Sequence, residues 1–172
     1  MSELTLKDIP DNELERFMKW RAKVIGLNIN EKTLLATDYT NHFNEIIMLI
    51  EMLPDMPDMF EDCKAWQPKS YQQHFRDVDF PDQNVVIEAY QNIPTLFRQR
   101  FENTVEQLNT IILTGLKEIE KAINANEETV IKLKCNLVHN AAEKLSVVLN
   151  GLIHGNSITL AQSEVDDLIA VL

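Results

Sequence analysis

After Pro94 the chain runs 78 residues to its end without another proline, whereas Pro10, Pro54, Pro57, Pro68, Pro81 and Pro94 punctuate the first half. Proline removes a backbone donor and clashes with the preceding turn, so a long proline-free stretch permits long helices. Within it, Phe97, Phe101, Val105, Leu108, Ile112, Leu116, Ile119 and Ile123 recur at spacings of three and four. That spacing draws one apolar stripe over about eight helical turns. Asn124-Ala125-Asn126 breaks the pattern, and Glu127 and Glu128 favour a new first turn. A second stripe follows through Val130, Leu133, Leu137, Ala141, Leu145, Val148 and Leu152, and Gly155 stops it. Residues 94–155 therefore read as one long antiparallel helical hairpin. A hairpin buries one face only, so it needs another helix or a second copy of itself to complete a four-helix bundle.

The first half reads as shorter pieces. Asp11 caps a helix over about Asn12 to Val24, which Gly26 ends. A second helix is expected from about Asn30 to Leu53, stopped by Pro54. Residues 54–82 are irregular, with short helical pieces at 57–66 and 70–75. Their aromatics Phe60, Trp66, Tyr71, Phe75 and Phe80 pin the segment onto the bundle. A further helix starts near Pro81, an accepted first-turn position, and reaches about Asn92. The expected fold is all-α: a helical bundle body over 1–155, a linker over 156–160 and an amphipathic helix over 161–172.

Composition narrows the function. Against 16 basic residues stand 27 acidic ones, a net charge of −11 that repels phosphate. Nucleic acid and anionic membrane are excluded as expected partners. No apolar run reaches membrane-spanning length, and the N-terminus lacks the charged and apolar regions of a signal peptide. Cys63 and Cys135 have no metal spacing and read as free thiols of a reducing compartment, which points to the cytoplasm. Four scattered glycines make no phosphate loop. A di-iron bundle needs Glu-x-x-His on two helices. The chain has only His42-x-x-Glu45 and His139-x-x-x-Glu143, so no metal is expected.

Two segments could carry function. Asp38, Asn41, His42 and Glu45 fall at i, i+3, i+4 and i+7, one face of the second helix. Tyr39, Phe43, Ile46 and Ile50 lie on one flank, and Leu35 and Leu49 near the other. The stripe pairs an amide with a carboxylate one turn apart and holds no lysine or arginine, unlike the mixed charge of an ordinary exposed strip. It is expected to face solvent or a shallow groove, because four buried polar groups without partners would exceed the margin of a domain's stability. The second segment is the C-terminus. There Thr159 with Gln162 resembles a capping box, and Glu164, Asp166 and Asp167 sit early in the helix, where negative charge is favourable. Ala161, Val165, Leu168 and Leu172 make a single apolar seam. Thirteen residues are marginal as an isolated helix, so this tail is expected to order on a partner as a helix-in-groove ligand.

The stretch Leu160-Ala161-Gln162-Ser163-Glu164-Val165-Asp166-Asp167-Leu168-Ile169 resembles the peptide by which the flagellar switch protein FliM captures the response regulator CheY, with pattern Leu-Ser-Gln-x-Glu-Ile-Asp-x-Leu-Leu. Val165-Asp166-Asp167-Leu168-Ile169 is also similar to the C-terminal CheY-binding helix of the CheZ-like chemotaxis phosphatases, Val-Asp-Asp-Leu-Leu. Its place at the chain end behind a linker fits the latter better. The resemblance covers about a dozen residues. It implies a CheY-like response regulator as partner, held by Leu160, Gln162, Glu164, Val165, Asp166, Asp167, Leu168, Ile169 and Leu172. It also implies a homodimeric four-helix bundle and hydrolysis of a phospho-aspartate. In that family the catalytic helix reads Asp-Phe-Gln-Asp-Leu-Thr-Gly-Gln-Val-Ile. Residues 38–47, Asp38-Tyr39-Thr40-Asn41-His42-Phe43-Asn44-Glu45-Ile46-Ile47, are similar in outline, with Asn41 at the acid position and Glu45 at the amide position, so the residue types are exchanged. On this reading Asn41 or Asn44 orients the attacking water, and Glu45 or Asp38 fixes docking. No cofactor is needed on this chain, the Mg²⁺ ion belonging to the regulator. A non-enzymatic module that docks a regulator or another protein through the tail is the alternative.

Overall fold

The computed structural model describes residues 6–156 and 159–172. Ser157 and Ile158, in the expected linker, lie outside the described residues. Eight α-helices and no strand occur among the described residues.

Helix α1 spans Asp11–Lys23, one residue earlier than expected at its start because Pro10, not Asp11, occupies the cap position. Phe17 is its buried anchor, edge-on to Phe97 at 6.1 Å. Gly26 ends the segment with a left-handed backbone, φ +83°.

The expected helix over 30–53 is corrected. Residues 30–35 close a turn instead: Asn30 N–H donates to Leu35 O at 2.8 Å, and Leu34 N–H donates to Asn30 O at 2.7 Å. The Asn30 side chain accepts from Lys32 N–H at 2.9 Å. A side-chain amide offering the backbone such a partner competes directly with helix. Leu34, fully buried, takes φ +63° to complete the turn. A 3₁₀ turn at Thr37–Thr40 then leads into α2, Asn41–Met52.

The middle segment folds as α3 (Phe60–Ala65), α4 (Tyr71–Asp77, with the Ser70 hydroxyl accepting from Gln73 N–H) and α5 (Gln83–Gln91). Its aromatics meet the first half around Tyr39, whose ring lies 5.2 Å from Tyr71, 5.5 Å from Phe43 and 5.7 Å from Phe101. The Tyr39 hydroxyl donates to Lys69 O at 2.8 Å, so this buried phenol is satisfied.

Two long helices, α6 (Thr95–Asn124) and α7 (Glu128–Ile153), pack along one another, and α2 lies against α7. On α6 the buried positions include Phe101, Leu108, Ile112, Leu116 and Ile119, together with Thr104, Ile111, Gly115 and Ala122. On α7 the expected stripe is met in part: Ala141, Leu145 and Leu152 are buried, but so are Ile131, Cys135, Val138, Ala142, Leu149 and Ile153, while Val130, Leu137 and Val148 are half-buried and Leu133 is exposed. At Gly115 the two helices pack too closely for a side chain. A Cβ there would stand 2.4 Å from Val138 Cγ2 and 2.5 Å from its Cγ1. Valine is stiff at χ1 and cannot swing aside. Gly115→Ala should therefore destabilise by about 1–3 kcal/mol despite its better helix propensity. Adding Val138→Ala should recover part of that loss. Urea denaturation of the two single variants and the double variant reads the coupling, and additive losses would contradict this contact.

Helix α8, Gln162–Ala170, lies against α6. Val165 and Leu172 are buried, Leu160, Leu168 and Ile169 half-buried, and the terminal residue's backbone oxygen accepts from Lys134 Nζ. The tail, expected to order on a partner, is folded onto its own body. Its apolar seam finds there the surface that an isolated 13-residue helix lacks.

Candidate functional site

The second-helix stripe is divided by the fold. Asn41 and Glu45 are exposed, as is Asn44, and Asp38 is half-buried in the 3₁₀ turn that precedes α2. His42 is the correction, since it points inward and is 6% exposed. Its ring stacks on Trp66 at 4.8 Å with an interplanar angle of 21°, beside Phe43 at 5.3 Å and His74 at 6.0 Å. The Trp66 indole N–H donates to the His42 carbonyl at 3.0 Å, which ties the short α3 segment to α2. A signal for this burial lay in the sequence. His42 stands three residues after Tyr39 and four before Ile46, in phase with the apolar face.

Electrostatics follow burial. Desolvation pushes the His42 imidazole down to about 4, and the neighbouring His74 and Lys69 act in the same direction. His74 is lowered too, first by burial and then by Lys69, with Asp38 opposing. Both rings are thus neutral near pH 7. His42 Nε2 is buried without a hydrogen-bond partner. Asp38 neighbours His74 rather than facing open solvent beside Asn41.

Asn41 and Glu45 stand one turn apart on the outer surface of α2, with Asn44 beside them. Side chains so placed can meet a flat protein surface, hydrogen-bond a water or pair with a cation. They do not enclose a substrate by themselves.

At the other candidate, the cap differs in detail from the expected Thr159–Gln162 box. Ala161 is the cap residue, and its N–H donates to Glu164 Oε2 at 2.8 Å. Glutamate three residues into the helix serves this role as well as glutamine. Gln162 donates to Asp166 Oδ1 at 2.9 Å and accepts from Gln107 Nε2 of α6 at 3.2 Å. Glu164, Asp166 and Asp167 are exposed. A cleft of about 310 Å³, lined by Asn103, Gln107, Thr110, Val165 and Ile169 among others, separates part of α8 from α6. The helix is seated at Val165 and Leu172, with Leu160, Leu168 and Ile169 partly buried against the core.

Cys63 and Cys135 are unpaired and buried, and burial raises both thiols to about 11. Among the described residues no three His, Cys, Asp or Glu side chains come together as metal ligands. No described helix is long and apolar enough to cross a membrane.

No protein family, curated protein or solved structure matches the chain.

Proposed function

We propose that this chain docks a CheY-like response regulator of a two-component or chemotaxis system through α8. The observation that carries the reading is α8 itself, a discrete helix with an acidic outer face at Glu164, Asp166 and Asp167 and an apolar seam on its inner side. Such a helix suits a groove that offers apolar pockets and a lysine or arginine rim. Val165 and Leu172 are covered by the chain's own body. Use of the seam therefore requires α8 to lift from α6, and its resting contact competes with the regulator.

A second reading adds catalysis, and the exposure of Asn41 and Glu45 one turn apart favours it. An acyl phosphate on the regulator, held by the regulator's own Mg²⁺, needs little from a partner beyond a positioned water. An asparagine amide can hydrogen-bond that water in line, while a carboxylate engages a lysine beside it. Helices α6 and α7 then form an antiparallel hairpin, which the short connection Ala125–Glu127 supports. The pair also self-associates, for which Leu113, Leu133 and Val147 offer exposed apolar surface. The cytoplasm is where such a regulator resides.

The test titrates a phosphorylated CheY-type receiver domain with the intact chain, with a chain lacking residues 156–172, and with Asn41→Ala and Glu45→Ala. Tail removal should raise the half-saturating concentration. The α2 substitutions should lower the maximal dephosphorylation rate and leave folding intact. An unchanged rate at saturation rejects the catalytic reading alone. No binding by the intact chain rejects both.

A further inference from the structure

An open cavity of about 260 Å³ lies where α1, the turn before α2, the start of α6 and the end of α7 meet. Its floor is apolar: Leu35, Ile93, Phe101 and Leu152 are buried, and Phe97 is half-buried. Three cations, Arg21, Lys32 and Arg100, line the same cavity from three different elements. No carboxylate occurs among the described lining residues. In a chain with 27 acidic and 16 basic residues, such a convergence runs against composition.

Two of the cations are placed without being neutralised. Arg21 Nε donates to Glu31 O at 2.8 Å and its Nη1 to Met18 Sδ at 3.5 Å, which orient the guanidinium without a counter-charge. Lys32 follows in the same turn, its own N–H held by Asn30 Oδ1. Among the described residues, neither Arg21 nor Lys32 pairs with a carboxylate, whereas Lys23, Lys64, Lys69, Arg98 and Lys121 do. A guanidinium presents paired donors that match a carboxylate, and an apolar floor strengthens attraction at its mouth by lowering the local dielectric.

We propose that this cavity binds a small amphipathic carboxylate, its apolar tail against Phe97, Phe101 and Leu152 and its head among Arg21, Lys32 and Arg100. The volume lies just under that of drug-sized sites, which suits a tail of about eight carbons. The cavity shares no lining residue with the α2 stripe or with α8, and its occupancy does not depend on the chemistry proposed for them.

Titration calorimetry of the full chain with octanoate, 1-octanol and butyrate tests the assignment. Octanoate should bind saturably at one site, more tightly than either comparator, because 1-octanol lacks the charge and butyrate lacks the tail. Lys32→Glu, on an exposed side chain that the fold does not need, should weaken octanoate about tenfold and leave 1-octanol unaffected. Leu152→Trp should fill the floor and abolish binding. If that variant does not fold, Lys32→Glu decides. Octanol or butyrate binding as tightly as octanoate, an unchanged affinity in Lys32→Glu, or no saturable octanoate binding would each overturn the proposal.

Discussion

Leu108→Ala is expected to lower the unfolding free energy by about 2–5 kcal/mol, the range for a fully buried leucine cut back to its Cβ in a core that collapses only partly. Leu108 has no exposed surface and sits near the middle of α6, between the buried Thr104 and the buried Ile111 and Ile112. The informative partner is Leu137 on α7, which falls on the stripe drawn from sequence but is half-buried in the structure. Its truncation should cost less, about 1–2 kcal/mol, since part of the side chain already meets water. Urea denaturation with a common m-value measures both. Equal losses at the two positions would mean that α7 faces α6 in the register read from sequence.

Acid should destabilise the protein well before its exposed carboxylates matter. An ordinary histidine titrates near 6.5, and His42 in the fold is pushed down to about 4. Between those values the unfolded chain binds a proton that the folded chain does not, so stability rises with pH across the window. The contribution is fully present above about 6.5 and is lost as pH falls toward 4. At 1.36 kcal/mol per pH unit the loss is about 3 kcal/mol. His74, lowered by the same burial, adds in the same direction. Urea midpoints measured from pH 7.5 to pH 4 should show the fall. His42→Phe, which keeps a ring against Trp66 and has no proton to gain, should flatten most of it. A midpoint in the intact chain that stays level down to pH 4 would mean that His42 is hydrated in solution.

How much of the fold is legible in the sequence depends on how many solutions each apolar pattern allows. In α6 the apolar and polar faces differ sharply, so the stripe from Phe101 to Ile119 had one solution. Helix α7 carries apolar residues nearly all round: Val130, Ile131, Leu133, Leu137 and Val138 admit two faces about one residue apart. Only the neighbours choose between them, namely Gly115 opposite Val138 and α2 on the other side. The late start of α2 was hidden for a different reason. Residues 30–36 contain neither glycine nor proline, and the left-handed position is filled by a leucine whose burial offsets its backbone cost. At the candidate sites, exposure of Asn41 and Glu45 could be read from helical phase, and so could burial of His42. The seam of α8 was visible too. That its first partner is α6 of the same chain was not, because a seam specifies a hydrophobic surface and not its owner.

The turn before α2 also bears on how the chain folds. The Thr33 hydroxyl donates to Ile153 O at 2.6 Å, and the Asn30 side chain meets His154 Nδ1 at 3.5 Å, so two contacts join residues 120 and 124 positions apart. The long pair, by contrast, is joined by three residues. Its first contacts close small loops, and such contacts form early because little chain entropy is lost in making them. The stitch between residues 30–33 and 153–154 closes a loop of most of the chain, so it forms late, after the rate-limiting step has been passed. Changes at Thr33 should then mainly speed unfolding, and changes along the long pair should mainly slow refolding.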